Sequence, residues 1–556
     1  MHNKRLSDSK VKRCAVTTTL SAMLLGTAIG IVTLPRALSQ TMPQEQRFDS
    51  KSADSSPSKP QSANGSNAEV LQELEKMRTR IEQLEIQLKQ SGITHASTTE
   101  SNTQSETRQG DTPITNSSLV QSGAGESPEV APNTKPAKSE PFAFADWTWL
   151  NGNARTKTPA FDSKFFTPEI RADISYIYDF NRPKDDTIGG SSEVFRSNEI
   201  QVTQLGVGGD FHYNNVRARL MTQFGLYSQT TPRNDASPAR GQWNLDNAYR
   251  YLSEAYGGHH FNALHGVNVD AGIFMSYIGL FSYYNFDNWA YQPSYVSSNT
   301  PWFFNGLRVQ IFPTEKLKIE PWFINGWQSY GRFNNRSGVG GQILWRPNGS
   351  ISIISNNYGV GADTLGNPNR TRLHTDNSIE VKYYDRPEEF LDKMAFSLTG
   401  DAGCETGGGV SCFGRRNAPK QSFLGFMFYN RFWFHKDLYG LTLGGGKINN
   451  PGRYLVLLPP INGATAASGT PYFTQNPGDP YKAWDASGTF DYMRSQYITF
   501  RWEFDHRAAN VPYFSGPGGI TPPGGNTGPL GSLVPGFTPD LRKIENRINL
   551  ALMVKF

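Results

Sequence analysis

Charged residues recur at every second position in several segments of this sequence. Arg217 and Arg219 form one such pair, and Arg501 and Glu503 form another. Side chains two residues apart on a β-strand point to the same face, so each pair would line one surface. Charges of opposite sign facing each other across an aqueous passage would create a transverse field, whereas charges in contact would neutralise each other as salt bridges. The candidates are Arg171, Arg217, Arg219, Arg308, Lys318, Arg346, Lys382, Arg501 and Arg547, with Asp173, Asp210, Glu254, Glu320, Glu380, Glu503 and Glu545 as the acidic members.

A second chemically distinctive stretch is the aromatic segment 279–302. An exposed loop would hardly tolerate so many rings, so the segment either folds inside the protein or shields a subunit interface. Inside a passage, the rings would cover the wall and the carboxylate of Asp287 would be available to a solute. The candidate constriction residues are Phe281, Tyr283, Tyr284, Phe286, Asp287, Trp289 and Tyr291.

Catalytic and metal-binding residues do not assemble into a recognisable pattern. His259, His260 and His265 lie in a segment that we predict to be one short turn, but no nucleophile or further ligand accompanies them. We therefore predict no catalytic residue, no metal and no cofactor. Cys404 and Cys412 lie close together in a Gly-rich stretch and could form a disulfide in an oxidising compartment.

The N-terminal part of the chain divides into segments of different composition. Residues 1–39 combine basic residues, an apolar stretch and the small residues "ALS", which together predict a secretory signal peptide; a single membrane-anchoring helix is the alternative. Residues 40–69 and 91–145 are rich in Ser, Thr, Asn, Gln, Gly and Pro, so we predict a disordered tether and a disordered linker. The net charge of +5 comes largely from the first 13 residues, and no nucleic-acid partner is predicted.

Residues 70–90 carry a heptad pattern of apolar residues with charges between them. Its members are Val70, Leu74, Met77, Ile81, Leu84 and Leu88. The pattern predicts a short coiled coil, which needs a partner helix; an isolated, marginal helix is the alternative. The chain contains one such segment, so the expected partner is another copy.

From residue 146 to 556, apolar and polar residues alternate in many short segments. In the last segment, "ENRINLALMVKF", one parity is apolar and the other carries charged or polar residues. Abundant aromatic residues (12 %) and 54 Gly, with little helical patterning, favour an all-β protein. Repeated over several hundred residues, the pattern predicts an antiparallel transmembrane β-barrel with an apolar outside and a polar inside. We place sixteen strands, near 168–180, 199–212, 215–227, 244–256, 267–278, 303–312, 316–326, 339–346, 350–357, 376–384, 394–400, 423–432, 438–446, 482–490, 496–505 and 543–556.

The connections between these strands alternate in length, as the turns and outer loops of outer-membrane barrels do. Tight turns such as "FPTEK" and "RPNGS" contrast with long links at 279–302 and 447–481. An even strand count predicts that both termini face the periplasm, where the coiled coil would also lie. The terminal strand would close the barrel, and its final residue Phe556 resembles the signal by which barrel-assembly machinery recognises such proteins.

The stretch "SYIGLFSYYNFDNWAYQPSYVSSNTPWFFNGLRV", together with "INGW" and "ITFRWEFDHR", resembles the OmpL-like β-barrel porins. The resemblance covers the chain after about residue 160 and implies a porin in the bacterial outer membrane, with no catalytic residues to carry over. We therefore expect a water-filled channel for passive diffusion of small hydrophilic solutes, such as ions or sugars. An adhesin or structural barrel is the alternative, and a barrel enzyme is less favoured. Coiled-coil extensions also precede some trimeric sugar porins, which supports a homotrimer formed through the coiled coil and the barrel walls by analogy.

Overall fold

The computed structural model describes residues 75, 76, 78, 79, 82 and 83, and then 140–455, 473–524 and 534–556. The six residues of the first group are α-helical and exposed. They belong to the predicted coiled coil, whose pairing with a second helix stays a prediction. The predicted signal peptide, the tether 40–69 and most of the predicted linker lie outside the described residues. Among the described helices, none has the length and apolar character needed to cross a membrane.

In the part of the chain that the structure describes, sixteen antiparallel strands form a closed barrel, which confirms the predicted fold class. Each strand pairs with its neighbours along the chain, and the last strand pairs with the first. The barrel strands are β1 (Phe166–Asp179), β2 (Ile200–Tyr213), β3 (Val216–Thr222), β4 (Leu252–Phe261), β5 (Val267–Met275), β6 (Phe303–Thr314), β7 (Leu317–Ile324), β8 (Gly338–Asn348), β9 (Ile351–Gly359), β10 (Thr371–Asp385), β11 (Leu391–Thr406), β12 (Ser422–Phe434), β13 (Tyr439–Asn449), β14 (Lys482–Ser495), β15 (Ile498–Ala509) and β18 (Ile544–Lys555). Two short strands, β16 (Phe514–Ser515) and β17 (Leu541–Arg542), pair with each other in a separate sheet.

The two faces of the barrel wall follow the alternation of the sequence. Across the closing pair of strands, Ile174 lies opposite Leu552 and Arg171 lies opposite Lys555. The side chain of Leu552 is exposed on the outer face, whereas Arg171 is buried on the inner one. An apolar exterior and a polar interior are what a barrel needs when lipid surrounds it and water fills it.

The connections alternate between tight turns and long loops, as predicted. The tight turns are 214–215, 262–266, 315–316, 349–350, 386–390, 435–438 and 496–497. The long loops are 180–199, 223–251, 276–302, 325–337, 360–370 and 407–421, and the connections 450–481 and 510–543 are long as well, with 456–472 and 525–533 outside the described residues. The beginning of β1 and the end of β18 both lie at the end of the barrel where the tight turns are.

The fourth strand lies further along the chain than predicted. The alternating pattern predicts this strand at 244–256, but residues Leu245–Tyr249 form a helix. Asn244 caps this helix, because its side-chain oxygen accepts a hydrogen bond from the backbone N–H of Asn247 at 3.0 Å. The strand therefore begins at Leu252, and the prediction that His259 and His260 lie in a turn was wrong.

Cys404 and Cys412 are joined by a disulfide, with their Cα atoms 5.1 Å apart. Cys404 lies at the long-loop end of β11, and Cys412 lies in the loop that follows it. The bond thus ties the first part of the loop 407–421 to the strand from which it emerges.

Candidate pore constriction

The loop 276–302, which we call the inserted loop, folds into the barrel lumen. Its Tyr284 hydroxyl donates to Glu254 on β4 at 2.9 Å, and its Trp289 carbonyl accepts from Arg431 on β12 at 3.2 Å. β4 and β12 are eight strands apart in a ring of sixteen, so they face each other across the barrel. The inserted loop therefore crosses the full width of the lumen.

The rings of the inserted loop face the inner wall and are buried there. Six of the seven candidate constriction residues are buried or nearly so, and Phe281 is partly buried against the ring of Tyr429 on β12. Asn285 and Tyr291 both donate to the carboxylate of Asp173 on β1, at 2.9 and 3.0 Å. The aromatic residues thus bury their rings against protein and place their polar groups on wall carboxylates.

The backbone of the inserted loop is held by charged side chains of β15. The carboxylate of Glu503 accepts from the backbone N–H groups of Tyr291 and Gln292 at 2.6 and 2.7 Å. Arg501 donates to the backbone carbonyls of Asn285 and Asn288 at 3.1 and 2.6 Å. Buried backbone groups need partners, and an irregular loop lacks the continuous ladder that pairs the groups of a strand. Two charges that the sequence placed on the lumen face are therefore the supports of this loop.

Asp287 lies between two cations. Its carboxylate contacts Arg171 at 2.8 Å and Lys555 at 3.2 Å, and its side chain is 7 % exposed. Its charge is therefore compensated by groups of β1 and β18. Loss of this carboxylate would remove the counter-charge that Arg171 and Lys555 share at this point of the lumen.

Most charges of the predicted lumen face are paired on the inner wall. Arg219 alone contacts the carboxylates of Glu169, Asp210 and Glu254, each at 2.9 Å. Further pairs are Arg171 with Glu169, Arg217 and Arg308 with Asp270, Lys318 with Glu320, Arg501 with Asp491, and Arg547 with Asp505 and Glu545. This geometry favours mutual neutralisation over an open transverse field. Within the described ranges, no group of His, Cys, Asp or Glu side chains is arranged to hold a metal ion.

Residues 140–157, which we call the mouth segment, lie across the tight-turn end of the barrel. The backbone N–H of Phe142 donates to the carbonyl of Glu315, and the hydroxyl of Thr156 donates to the carbonyl of Gln496, at 2.7 and 2.9 Å. These acceptors lie in the β6–β7 and β14–β15 turns, which are eight strands apart. The segment therefore crosses the mouth from one side to the other, and part of it lies within the predicted linker.

The mouth segment and the inserted loop interlock at Gly152. Its N–H donates to the carbonyl of Asp287 at 2.9 Å, and its carbonyl accepts from Arg431 at 2.7 Å. A Cβ atom at this position would lie 2.4 Å from the carbonyl oxygens of Phe286 and Asn288. Because both obstacles are backbone atoms, only glycine allows this approach.

An outer loop contributes a buried carboxylate to the same assembly. Glu193, in the loop 180–199, accepts a hydrogen bond from the side-chain amide of Gln292 in the inserted loop. Burial raises the pKa of the Glu193 carboxyl to about 7, although Ser192, Arg507 and the bond from Gln292 favour its charged form. Around neutral pH, this contact therefore exists in two protonation states.

Sequence reasoning missed several residues of this site. Arg431 and Asp491 form a buried ion pair at 2.8 Å, and Asp485 accepts from the backbone N–H of Tyr295 at 3.0 Å. Their parity on β12 and β14 would have indicated an inward position. The signal was weak because the inner face of β12 also carries aromatic residues such as Trp433, which erase the alternation.

A closed barrel with an apolar outer wall, a charged inner wall and a loop folded across its lumen belongs to the class of membrane channels. The sequence gives the family. Residues 171–528, more than half of the chain, match the family described as "Putative beta-barrel porin-2, OmpL-like". The chain belongs to this family and is an outer-membrane porin, which confirms the resemblance noted above. No curated protein matches the sequence.

Several solved structures are similar to this chain. The outer membrane channel DcaP of Acinetobacter baumannii is 12 % identical with a TM-score of 0.39, covering 72 % of this chain and 100 % of its own. OprB of Pseudomonas putida is 11 % identical with a TM-score of 0.39, covering 70 % and 94 %. The trimer form of OmpT of Vibrio cholerae is 9 % identical with a TM-score of 0.40, covering 71 % and 100 %.

The interlock at Gly152 can be tested by adding one methyl group. We expect Gly152→Ala to displace the mouth segment, because the new Cβ would collide with two carbonyl oxygens of the inserted loop. The displaced segment should become a substrate for protease added from the tight-turn side, and single-channel conductance should rise. The matched control is Gly257→Ala on β4, where a Cβ would meet no atom within 4 Å. Equal protection of the segment in both variants would contradict the interlock.

Proposed function

We propose that this porin admits small hydrophilic solutes by passive diffusion, and that the inserted loop and the mouth segment together narrow the path. A barrel of this strand number is wide enough to leave an aqueous channel, so selectivity requires something inside it. The contacts of the inserted loop with Glu254 and Arg431, on opposite walls, are the observation that carries the proposal. The path would run between the loop and the remaining wall, and the proposal includes no catalytic role.

The same proposal places the N-terminal part in the periplasm and the protein in a homotrimer. The predicted coiled coil at 70–90 would pair with the same segment of other copies. The barrel-assembly machinery would recognise the C-terminal strand. In support, Phe556 exchanges backbone hydrogen bonds with Ile170 at 2.9 and 3.2 Å, stacks on Tyr497, and keeps 48 % of its surface exposed.

Removal of the aromatic part of the inserted loop tests the proposed constriction. A deletion of residues 281–295 takes the rings out of the lumen and lets water solvate Arg501 and Glu503. Single-channel conductance in a planar bilayer should therefore increase. The variant must keep its β-sheet circular dichroism and its heat-modifiable mobility to count as folded. Unchanged conductance in a folded variant would show that the loop does not limit the path.

The ion preference of the constriction depends on Asp287. Replacing Asp287 by Asn should shift permeation toward anions, because Arg171 and Lys555 lose their shared counter-charge in a poorly screened region. The measurement is the reversal potential in a salt gradient. Asp385→Asn, which removes the same charge from the tight-turn end of β10, is the control and should leave the potential unchanged. If the two variants behave alike, Asp287 does not contribute to selectivity.

A pH dependence follows from Glu193. Its pKa is raised above the value of an unfolded chain, so the folded protein holds the proton more tightly and loses stability as pH rises from about 4.5 through about 7. Glu193→Gln keeps the shape of the side chain and removes this loss of folding stability. The loss is on the order of 3 kcal/mol once the pH is well above 7. We expect the variant to melt at a higher temperature than the wild type at pH 8 and at a similar one at pH 5. Glu388→Gln, at an exposed site, should show no such divergence.

A further inference from the structure

The outer wall of the barrel carries a polar cluster where hydrocarbon is expected. Ser355 and Asn357 on β9 and Thr375 and Asn377 on β10 all point outward, and we call these four residues the polar wall patch. Ser355 is the central residue of its nine-residue strand, and Asn377 is the seventh of fifteen. Ser355 and Asn377 therefore lie near mid-membrane depth, and Asn357 and Thr375 lie two residues closer to the long-loop end.

The patch contrasts with the rest of the outer wall. In the other barrel strands, the outward residues nearest the middle are apolar or glycine, for example Ile174, Leu443 and Leu550. An alternating sequence would place an apolar residue at all four positions of the patch. Polar side chains at these positions therefore require an environment that offers more hydrogen-bonding groups than lipid chains do.

The four side chains form a connected hydrogen-bond chain. Ser355 donates to Asn377 at 2.7 Å, Asn377 donates to Thr375 at 2.8 Å, and Asn357 donates to Ser355 at 3.2 Å. These bonds use one of the two hydrogens on each amide. No described protein group takes up the second hydrogens or the carbonyl oxygen of Asn357. Lipid chains offer neither donors nor acceptors, and unsatisfied amides in hydrocarbon are costly.

Small residues flank the patch on both sides. Gly400 and Ala402 on β11 lie opposite Asn377 and Thr375, and Gly341 on β8 lies opposite Asn357. A Cβ atom at Gly400 would meet nothing within 4 Å. Larger residues surround this area, and they are Ile343, Leu373, Leu398 and Phe426. The result is a shallow depression with a polar floor, into which another protein surface can approach closely, as small residues allow at membrane interfaces.

We propose that the polar wall patch is covered by a second copy of this chain, at the symmetry axis of a homo-oligomer. The inference rests on the proposed function in one respect, namely that copies of the chain associate in the membrane. Copies inserted in one direction are related by an axis along the membrane normal, so a patch near that axis meets itself. Asn, Ser and Thr side chains both donate and accept, which makes the patch complementary to itself. The predicted coiled coil also requires other copies of the chain.

Cysteine cross-linking tests the location of the interface. Asn377→Cys, treated with an oxidant or a short thiol cross-linker in native membranes, should yield a cross-linked dimer. The matched control is Ile174→Cys on β1, which points outward from the opposite side of the barrel and should stay uncross-linked. Cross-linking at both positions to the same extent, or at Ile174→Cys alone, would overturn the proposal.

A second measurement tests the polar contacts themselves. In the double variant Asn357→Leu/Asn377→Leu, we expect association to weaken by roughly tenfold or more, because buried polar contacts between membrane segments contribute about this much. The readout is the mass of the protein in mild detergent over a dilution series. An unchanged mass would overturn the proposal. Single-channel conductance, measured on the same sample, should stay at the wild-type value, so that a failure of the channel proposal appears separately.

Discussion

The closure of the sheet between β1 and β18 is the constraint on which the rest of the structure depends. A backbone surrounded by hydrocarbon cannot leave a row of N–H and carbonyl groups unpaired, and a sheet of sixteen strands removes both edges only by joining its ends. Nine residue pairs, from Arg171 with Lys555 to Asp179 with Arg547, make this junction. Closure fixes which side chains point outward. It also creates an interior that must be occupied by protein groups or by water.

The filling of the interior explains why so many charges are buried there. A loop inside a lumen brings backbone groups that no strand can pair, and the wall must supply their partners. Glu503 and Arg501 do this from β15, and Arg431 does it from β12. Asp491 in turn compensates both arginines, at 2.6 and 2.8 Å. Ion pairs of this kind need not stabilise the barrel by themselves. Removal of one partner, however, leaves a buried charge without compensation and lowers the free energy of unfolding by several kcal/mol.

The strands could be predicted from the sequence because the lipid imposes an apolar outer parity on most of their length. The prediction failed where a local signal was stronger, as at Asn244, whose cap starts a helix in the expected fourth strand. The residues of the inner face were harder to predict, because their types depend on the groups of the inserted loop that they contact. The mouth segment was missed altogether, since a chain that crosses from turn to turn has no period. Its aromatic residues Trp147 and Trp149, which stand out beside a polar linker, were the available signal.

The mouth segment also shows an order in which these parts must come together. Its contacts reach turns as distant as Gln496, 340 residues from Thr156 along the chain. Those turns face each other only after the sheet has closed, so the segment cannot contact both of them earlier. Its central residue, Gly152, also needs the carbonyl of Asp287, which is in place only when the inserted loop has reached both walls. The narrowing of the lumen is therefore a late consequence of closure. In a barrel that failed to close, the inserted loop and the mouth segment would both lose their contacts.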